Sequence, residues 1–350
     1  MSYTIALNFE DGVTRFITCK DGETVLDAAY RHKVNLPMDC SDGVCGTCKG
    51  TCDQGDFDLG DEYIDEALSD EEAAEGKVLT CQMVPASDCV VQVPVASTLC
   101  KTGVGEFPAR VAEVARLSED SFELVVDLEQ GEGLAFLPGQ YVNIQVPGSD
   151  EARSYSFSSL PGERRATFLI RNVPDGLMSG YLSGAAKTED ALTLTGPMGS
   201  FYLREVTRPV LMLAGGTGLA PFLAMLRQLQ ERGCDQPVRL LYGVNVDDHL
   251  VKLDELDAFV EALPDFAYTT VVADAASEHP RKGYVTHHMA PELLHDGEVD
   301  VYLCGPPPMV DAVLIHFREQ GISPASFHYE KFTPSLAPEE AKDAAREAVA

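Results

Sequence analysis

Four unevenly spaced cysteines are the first residues in the chain that could hold a reactive centre. Cys40, Cys45 and Cys48 lie in PMDCSDGVCGTCKG as C-x4-C-x2-C, and Cys81 follows about thirty residues later in VLTCQM. Thiolates at these spacings suit a [2Fe–2S] cluster, with one loop wrapping three ligands around the iron pair and the fourth returning from elsewhere in the fold. Gly43 and Gly46 answer the need for backbone that approaches the sulfides with no Cβ in the way. The alternatives are a four-cysteine zinc site or a pair of disulfides. A structural zinc site usually shows two short C-x2-4-C pairs, and only one cysteine stands near the fourth position here.

A second chemical group is Arg153-Ser154-Tyr155-Ser156. Alone, it reads equally as an edge strand with alternating polar and aromatic residues. The segment matches R-x-Y-[ST] and resembles the motif of the ferredoxin–NADP reductase-like flavoproteins. That resemblance implies that Arg153 pairs with the pyrophosphate of FAD as a charge-matched fork. It places Tyr155 against the isoalloxazine and the Ser156 hydroxyl on flavin N5, the atom that receives hydride. PGQYVNIQVPG precedes the motif and RNVPDGLMSGYL follows it. In the latter, Gly176, Met178 and Ser179 match the family's G-x-[MLV]-S, where a helix N-terminus meets the flavin phosphates.

The third group is built on glycines. RPVLMLAGGTGLAPFLAMLRQLQERG reads as a buried strand, a turn and a helix, with Val210 to Ala214 the run expected of a parallel strand covered on both faces. Gly215, Gly216, Thr217 and Gly218 let the turn bring backbone N–H groups up to a phosphate, and Pro221 suits the first turn of the helix. VRLLYGVNVDDHL repeats the strand-then-loop plan, and VDVYLCGPPPMVDAVLIHF gives another strand ending in Cys304, Gly305 and Pro306. The same flavoprotein family carries CGPP there, which implies Cys304 on the nicotinamide side; the alternative is a packed thiol at a strand end. FHYEKFTPS resembles the family's last strand, which puts Phe332 beside the flavin and Glu330 in the lining of the hydride-transfer site. The loop after Tyr242-Gly243 offers Asn245, Asp247 and Asp248, with no Arg or Lys until Lys252. Carboxylates there, Asp247 above all, favour a ribose hydroxyl and repel a 2′-phosphate, so NADH is the expected nucleotide.

These groups need three frameworks. TIALNFEDGVTRFITCK reads as a hairpin turned at Asp11-Gly12, GETVLDAAYRHKVNLP as a helix that stops before Pro37, and VLTCQMVPASDCVVQVP as the returning strand. That is a small β-grasp sheet, and with the cysteine spacing it resembles plant-type ferredoxins over residues 1–100. Residues 101–107 read as a linker. Short strands with turn signals over 108–206 suit an antiparallel β-barrel for FAD, strand–helix alternation over 207–334 an α/β parallel-sheet domain for NADH, and 335–350 an acidic tail. The fold class is thus multidomain: an α+β β-grasp ferredoxin, a flavin barrel and a nucleotide-binding α/β sheet.

The chain's bulk agrees. At 350 residues it exceeds one core. It has no apolar run long enough to span a membrane and no secretory start, and its ten cysteines point to metal chemistry in a reducing, cytoplasmic setting. The net charge of −30 disfavours nucleic acid and anionic membranes as partners. Eleven acidic residues and no Lys or Arg fall between Asp53 and Glu75, either a docking face for a basic partner or a general acidic bias.

FEDGVTRFI, DAAYR, PMDC-x-x-G-x-CGTC, RSYSFSS and RPVLMLAGGTGLAPFL together resemble the benzoate 1,2-dioxygenase reductases, with their toluate and anthranilate relatives, over nearly the whole chain. The resemblance implies electron flow from NADH through FAD and the cluster to a terminal Rieske-type oxygenase that dihydroxylates an aromatic acid. No pocket for an organic substrate is then required in this chain, and a monomer suffices. A reductase for a soluble di-iron monooxygenase would share all three modules. A redox sensor would have no need of three intact cofactor motifs.

Overall fold

The computed structural model describes residues 2–38, 43, 46–60, 63–64, 67–97, 100, 105–129, 131, 133–199 and 201–332. Cys40, Cys45 and the acidic tail therefore lie outside the described residues.

In the first unit, β1 (Ser2–Phe9) and β2 (Thr14–Lys20) form the expected hairpin, with Gly12 at φ +76° in its turn. Helix α1 (Val25–Arg31) starts at Thr24, whose hydroxyl accepts the Asp27 N–H at 3.1 Å, and it buries Val25, Leu26, Ala28 and Ala29. Next come β3 (Lys49–Gln54), β4 (Phe57–Asp58), α2 (Asp70–Ala74), β5 (Lys77–Leu79), β6 (Val84–Pro85) and β7 (Cys89–Val93). The main sheet runs β2-β1-β7-β3-β5, with β1 and β7 parallel. The first turn of α1 is bonded to the segment that carries Cys81: Leu26 N–H donates to the Thr80 carbonyl and Val25 N–H to that of Met83, each at 2.9 Å. A helix whose unpaired first amides meet carbonyls in this way fixes the height of the fourth cysteine.

The second unit contains β8 (Gly105–Arg116), β9 (Ser121–Leu128), β10 (Tyr141–Gln145), β11 (Ala152–Ser156), β12 (Arg165–Arg171), α3 (Leu177–Gly180) and β13 (Ala191–Met198). Their order is β11-β10-β13-β8-β9-β12, and a bridge between Phe157 and Phe168 joins the two ends into a barrel. Leu124, Val126, Val142, Ile144, Phe157, Phe168 and Leu194 fill it. The expected linker is too long at its end: Gly105, Glu106 and Phe107 already belong to β8, where they pair with Gly196, Thr195 and Leu194. Phe107 packs against the barrel core, which draws the strand back past Pro108.

The third unit comprises β14 (Val210–Gly215), α4 (Ala220–Arg232), β15 (Val238–Val244), α5 (Leu253–Ala262), β16 (Phe266–Val272), β17 (Asp300–Gly305), α6 (Pro307–Gln320) and β18 (Ser326–Lys331). All five strands are parallel in the order β16-β15-β14-β17-β18, and β14 and β17 are buried at every position. The chain reverses direction across the sheet between β14 and β17, and such a reversal opens a crevice at the carboxyl ends of the strands. Phe201 and Leu203, expected in the barrel unit, pack into the core of this sheet together with Leu169 of β12. The two units share apolar residues across the expected boundary at 206. Among the described residues, no helix is long and apolar enough to cross a membrane.

Candidate active site in a cavity between the units

A cavity of about 1520 Å³ runs from the open edge of the barrel to the crevice of the parallel sheet. This exceeds the 300–1,000 Å³ typical of small-molecule pockets and suits two extended dinucleotides better than one small ligand. Strand β11 brings Arg153, Ser154, Tyr155 and Ser156 to its wall, both faces of the strand reaching the cavity at the open edge of the barrel. The Arg153 guanidinium is oriented by Glu151 Oε2 at 2.6 Å and by the Ala152 carbonyl at 2.9 Å. Burial pushes the Tyr155 phenol well above its ordinary value, so the ring stays neutral.

Gly176 caps the short α3, and Met178 and Ser179 are buried with it at the wall. Ser179 Oγ accepts the Val173 N–H at 2.8 Å and donates to the Arg171 carbonyl at 3.3 Å. The loop is thereby folded back so that the free amides at the start of α3 belong to the cavity side, a setting suited to phosphate.

Three segments far apart in the chain meet at the inner end. Ser156 Oγ donates to Glu330 Oε2 at 3.2 Å, and Cys304 Sγ lies 4.0 Å from the same oxygen. Ser156 and Cys304 are buried, and burial followed by the Glu330 charge raises the Cys304 thiol well above its usual range. Cys304 is therefore a neutral thiol beneath the wall, reaching the cavity through Glu330. Gly305 sits behind the wall too, against Gly215, while Pro306, Glu330 and Phe332 line it. The Phe332 N–H donates to the Gly305 carbonyl at 2.9 Å, which fixes the end of β18 to the CGPP turn.

The glycine turn divides by role. Gly215, Gly216 and Thr217 line the cavity, and Gly216 has φ +55°. Gly218 faces away: a Cβ there would collide with the Cys304 carbonyl, so its lack of a side chain lets the turn close on β17. The missing side chain at Gly218 thus serves packing against β17.

Asp247 also departs from expectation. It is exposed, its carboxylate accepts the Ser277 hydroxyl at 2.9 Å, and it is not part of the cavity wall. The tight turn at 247–249 swings it toward the loop after β16, and Asn245, His249, Ala273, Gly283 and Tyr284 line that end instead. Lys282, bonded to the Ala275 carbonyl at 3.3 Å, stands beside the same loop, a cation that a count confined to the β15 loop missed. Tyr284, 64% exposed at the rim, was also missed; a large exposed ring beside a nucleotide site offers a stacking surface, but nothing in its local pattern announced it. Tyr141, within the quoted PGQYV segment, lines the inner end, and burial together with Glu330 pushes its phenol up to about 12.

In the first unit, the Cys48 and Cys81 thiols are buried and 3.3 Å apart, and the Thr80 N–H donates to the Cys48 carbonyl at 3.1 Å. Two soft, converging thiols at this distance fit the iron of a cluster. Arg153, the α3 start and the glycine turn likewise fit the phosphates of FAD and a nicotinamide nucleotide.

A thiol-bound metal site joined to a barrel and a parallel sheet with a shared dinucleotide cavity defines an iron–sulfur flavoprotein oxidoreductase. Family models agree on all three parts: a 2Fe-2S iron-sulfur cluster binding domain matches residues 8–86, an oxidoreductase FAD-binding domain 108–202 and an oxidoreductase NAD-binding domain 212–314. The chain is 54% identical to the toluate 1,2-dioxygenase electron transfer component of Pseudomonas putida, over 96% of this chain and 100% of the relative. It is 48% identical to the 2-halobenzoate 1,2-dioxygenase electron transfer component of Burkholderia cepacia, over 96% and 99%. Identity is 33%, over 89% of this chain, with the reductase component of a propane 2-monooxygenase from Gordonia. Among solved structures, a cytochrome P450 reductase from Amycolatopsis superposes with a TM-score of 0.69 at 33% identity, covering 95% of this chain and 99% of that one. The chain belongs to the family of electron transfer components of aromatic 1,2-dioxygenases.

Proposed function

We propose that this chain takes electrons from NADH and delivers them singly to a terminal Rieske-type oxygenase that dihydroxylates an aromatic acid of the benzoate kind. The observation that carries the reading is the convergence of Ser156, Cys304 and Glu330 on one end of a cavity whose other walls are the α3 loop and the glycine turn. When bound, NADH supplies a hydride, FAD accepts it as a pair of electrons, and the cluster passes them on one at a time.

The residues do the positioning. Arg153 and the first amides of α3 would hold the flavin diphosphate, Tyr155 and Phe332 would lie against its ring, and the Ser156 hydroxyl would donate to N5 once its one O–H turns away from Glu330. The turn at Gly215 to Thr217 holds the nucleotide diphosphate. Glu330 orients Ser156, and the neutral Cys304 thiol packs against that pair without competing as a charged nucleophile. Cys40, Cys45, Cys48 and Cys81 hold the cluster. NADH is the donor on the strength of the uncharged Asn245 at the wall, with Asp247 and Asp248 adding only negative charge nearby and the Lys282 ammonium engaged by a carbonyl. One chain carries the whole relay, so a monomer suffices.

The client is tested by oxygen uptake with purified components. A benzoate-type Rieske oxygenase with benzoate should show NADH-driven uptake coupled to diol formation, and a di-iron hydroxylase with phenol should not. Uptake in the second mixture alone would assign the chain to a monooxygenase and overturn the proposed client.

A further inference from the structure

Among the described residues of the first unit, Met38 alone lines the flavin cavity. It stands two positions before Cys40, is half-buried, and packs against the first unit's core as well. The segment before it is firmly seated: Val34, Asn35 and Leu36 are buried, and the Asn35 N–H donates to the Cys100 carbonyl at 3.2 Å. One side chain thus touches both the framework of the cluster loop and the wall that faces the flavin.

We propose that Met38 is the positioning residue for the electron step between flavin and cluster. Tunnelling falls steeply when packed atoms are replaced by a gap, and the unbranched thioether is a polarizable side chain that fills an irregular space between two surfaces. The two electrons of one hydride cross singly, each oxidising the flavin by one and reducing the cluster by one, with ferric cytochrome c as the final acceptor in the assay. The inference rests on the proposed flavin-to-cluster order. That order has its own control: Cys45→Ser must abolish cytochrome c reduction while leaving ferricyanide reduction from the flavin, and equal loss of both would sink the order itself rather than the role of Met38.

The test uses the full-length holoprotein with Met38→Ala, Met38→Val and Met38→Leu. Four quantities are read: NADH–ferricyanide rate, NADH–cytochrome c rate, FAD dissociation constant from flavin fluorescence, and visible circular dichroism of the cluster. Met38→Ala should slow cytochrome c reduction severalfold more than ferricyanide reduction, both measured at saturating FAD, weaken FAD binding by about threefold through lost apolar contact, and keep the cluster spectrum. Met38→Val should do the same to a smaller degree, and Met38→Leu should restore the parent values. Unchanged cytochrome c reduction in Met38→Ala would overturn the proposal. So would equal loss of both activities, or loss of the cluster spectrum in both shortened variants, since Met38 would then only brace the loop.

Discussion

The two ends of the cavity are built differently. At the inner end, Ser156, Cys304 and Glu330 come from the last residues of β11, β17 and β18, each held in a strand ladder, with β17 paired on both sides. At the outer end, Asn245, His249, Gly283 and Tyr284 come from loops and short turns, tied across the units by His249 Nδ1 to Asp120 Oδ2 at 3.2 Å and by Lys252 to Glu123. The step that must be held to a fraction of an ångström sits on strand ends, and the part that selects a nucleotide sits on loops. Rate and selectivity are therefore expected to respond to different mutations.

The largest effect is expected from Gly218→Val. The added side chain meets the backbone of Cys304 and Gly305, which has little room to yield, and should lower NADH oxidation by about a hundredfold. Near-parental turnover would show that the turn and β17 are not rigidly packed. Ser156→Ala removes one hydroxyl at the inner end. Anaerobic flavin reduction by NADH in a stopped-flow experiment should slow about tenfold, the worth of one hydrogen bond, with half-saturation unmoved. A change in half-saturation alone would break the division between the two ends.

At the outer end, Tyr284→Ala should raise the NADH concentration for half-saturation about fivefold and leave kcat unchanged, as loss of a stacking surface requires. Asn245→Arg should increase the kcat/KM ratio of NADPH to NADH more than Asp247→Arg does, because only Asn245 lines the cavity. The reverse ranking would mean that the 247–249 turn rearranges when nucleotide binds. The smallest effect on catalysis belongs to Lys252→Ala, which removes a partly buried ion pair to Glu123 and should lower the melting temperature while leaving kcat and half-saturation unmoved.

The same contrast explains what could be read from the sequence. The cysteine spacing, R-x-Y-S, the glycine turn and CGPP each encode chemistry in consecutive residues, and regular strand or turn periods carry that chemistry to the right face. The place of Asp247 off the cavity wall was not legible, because the direction of a side chain on a three-residue turn depends on a loop thirty positions away, at Ser277. The packing part of Gly218 was not legible because its neighbour is the backbone of β17, which local spacing does not disclose. Met38 and Tyr284 have no motif at all. They matter through the approach of one unit or loop to another, and the boundary near 206 blurred for the same reason when Phe201 and Leu203 joined the next core.

That blurred boundary has a consequence for how the protein is inherited and rearranged. A barrel and a sheet whose apolar residues interleave cannot be separated without exposing oily surface on both, so gene fusions that keep only one of them should yield insoluble product. The first unit has a core of its own. It is the unit expected to fold on its own, while the other two travel as a pair.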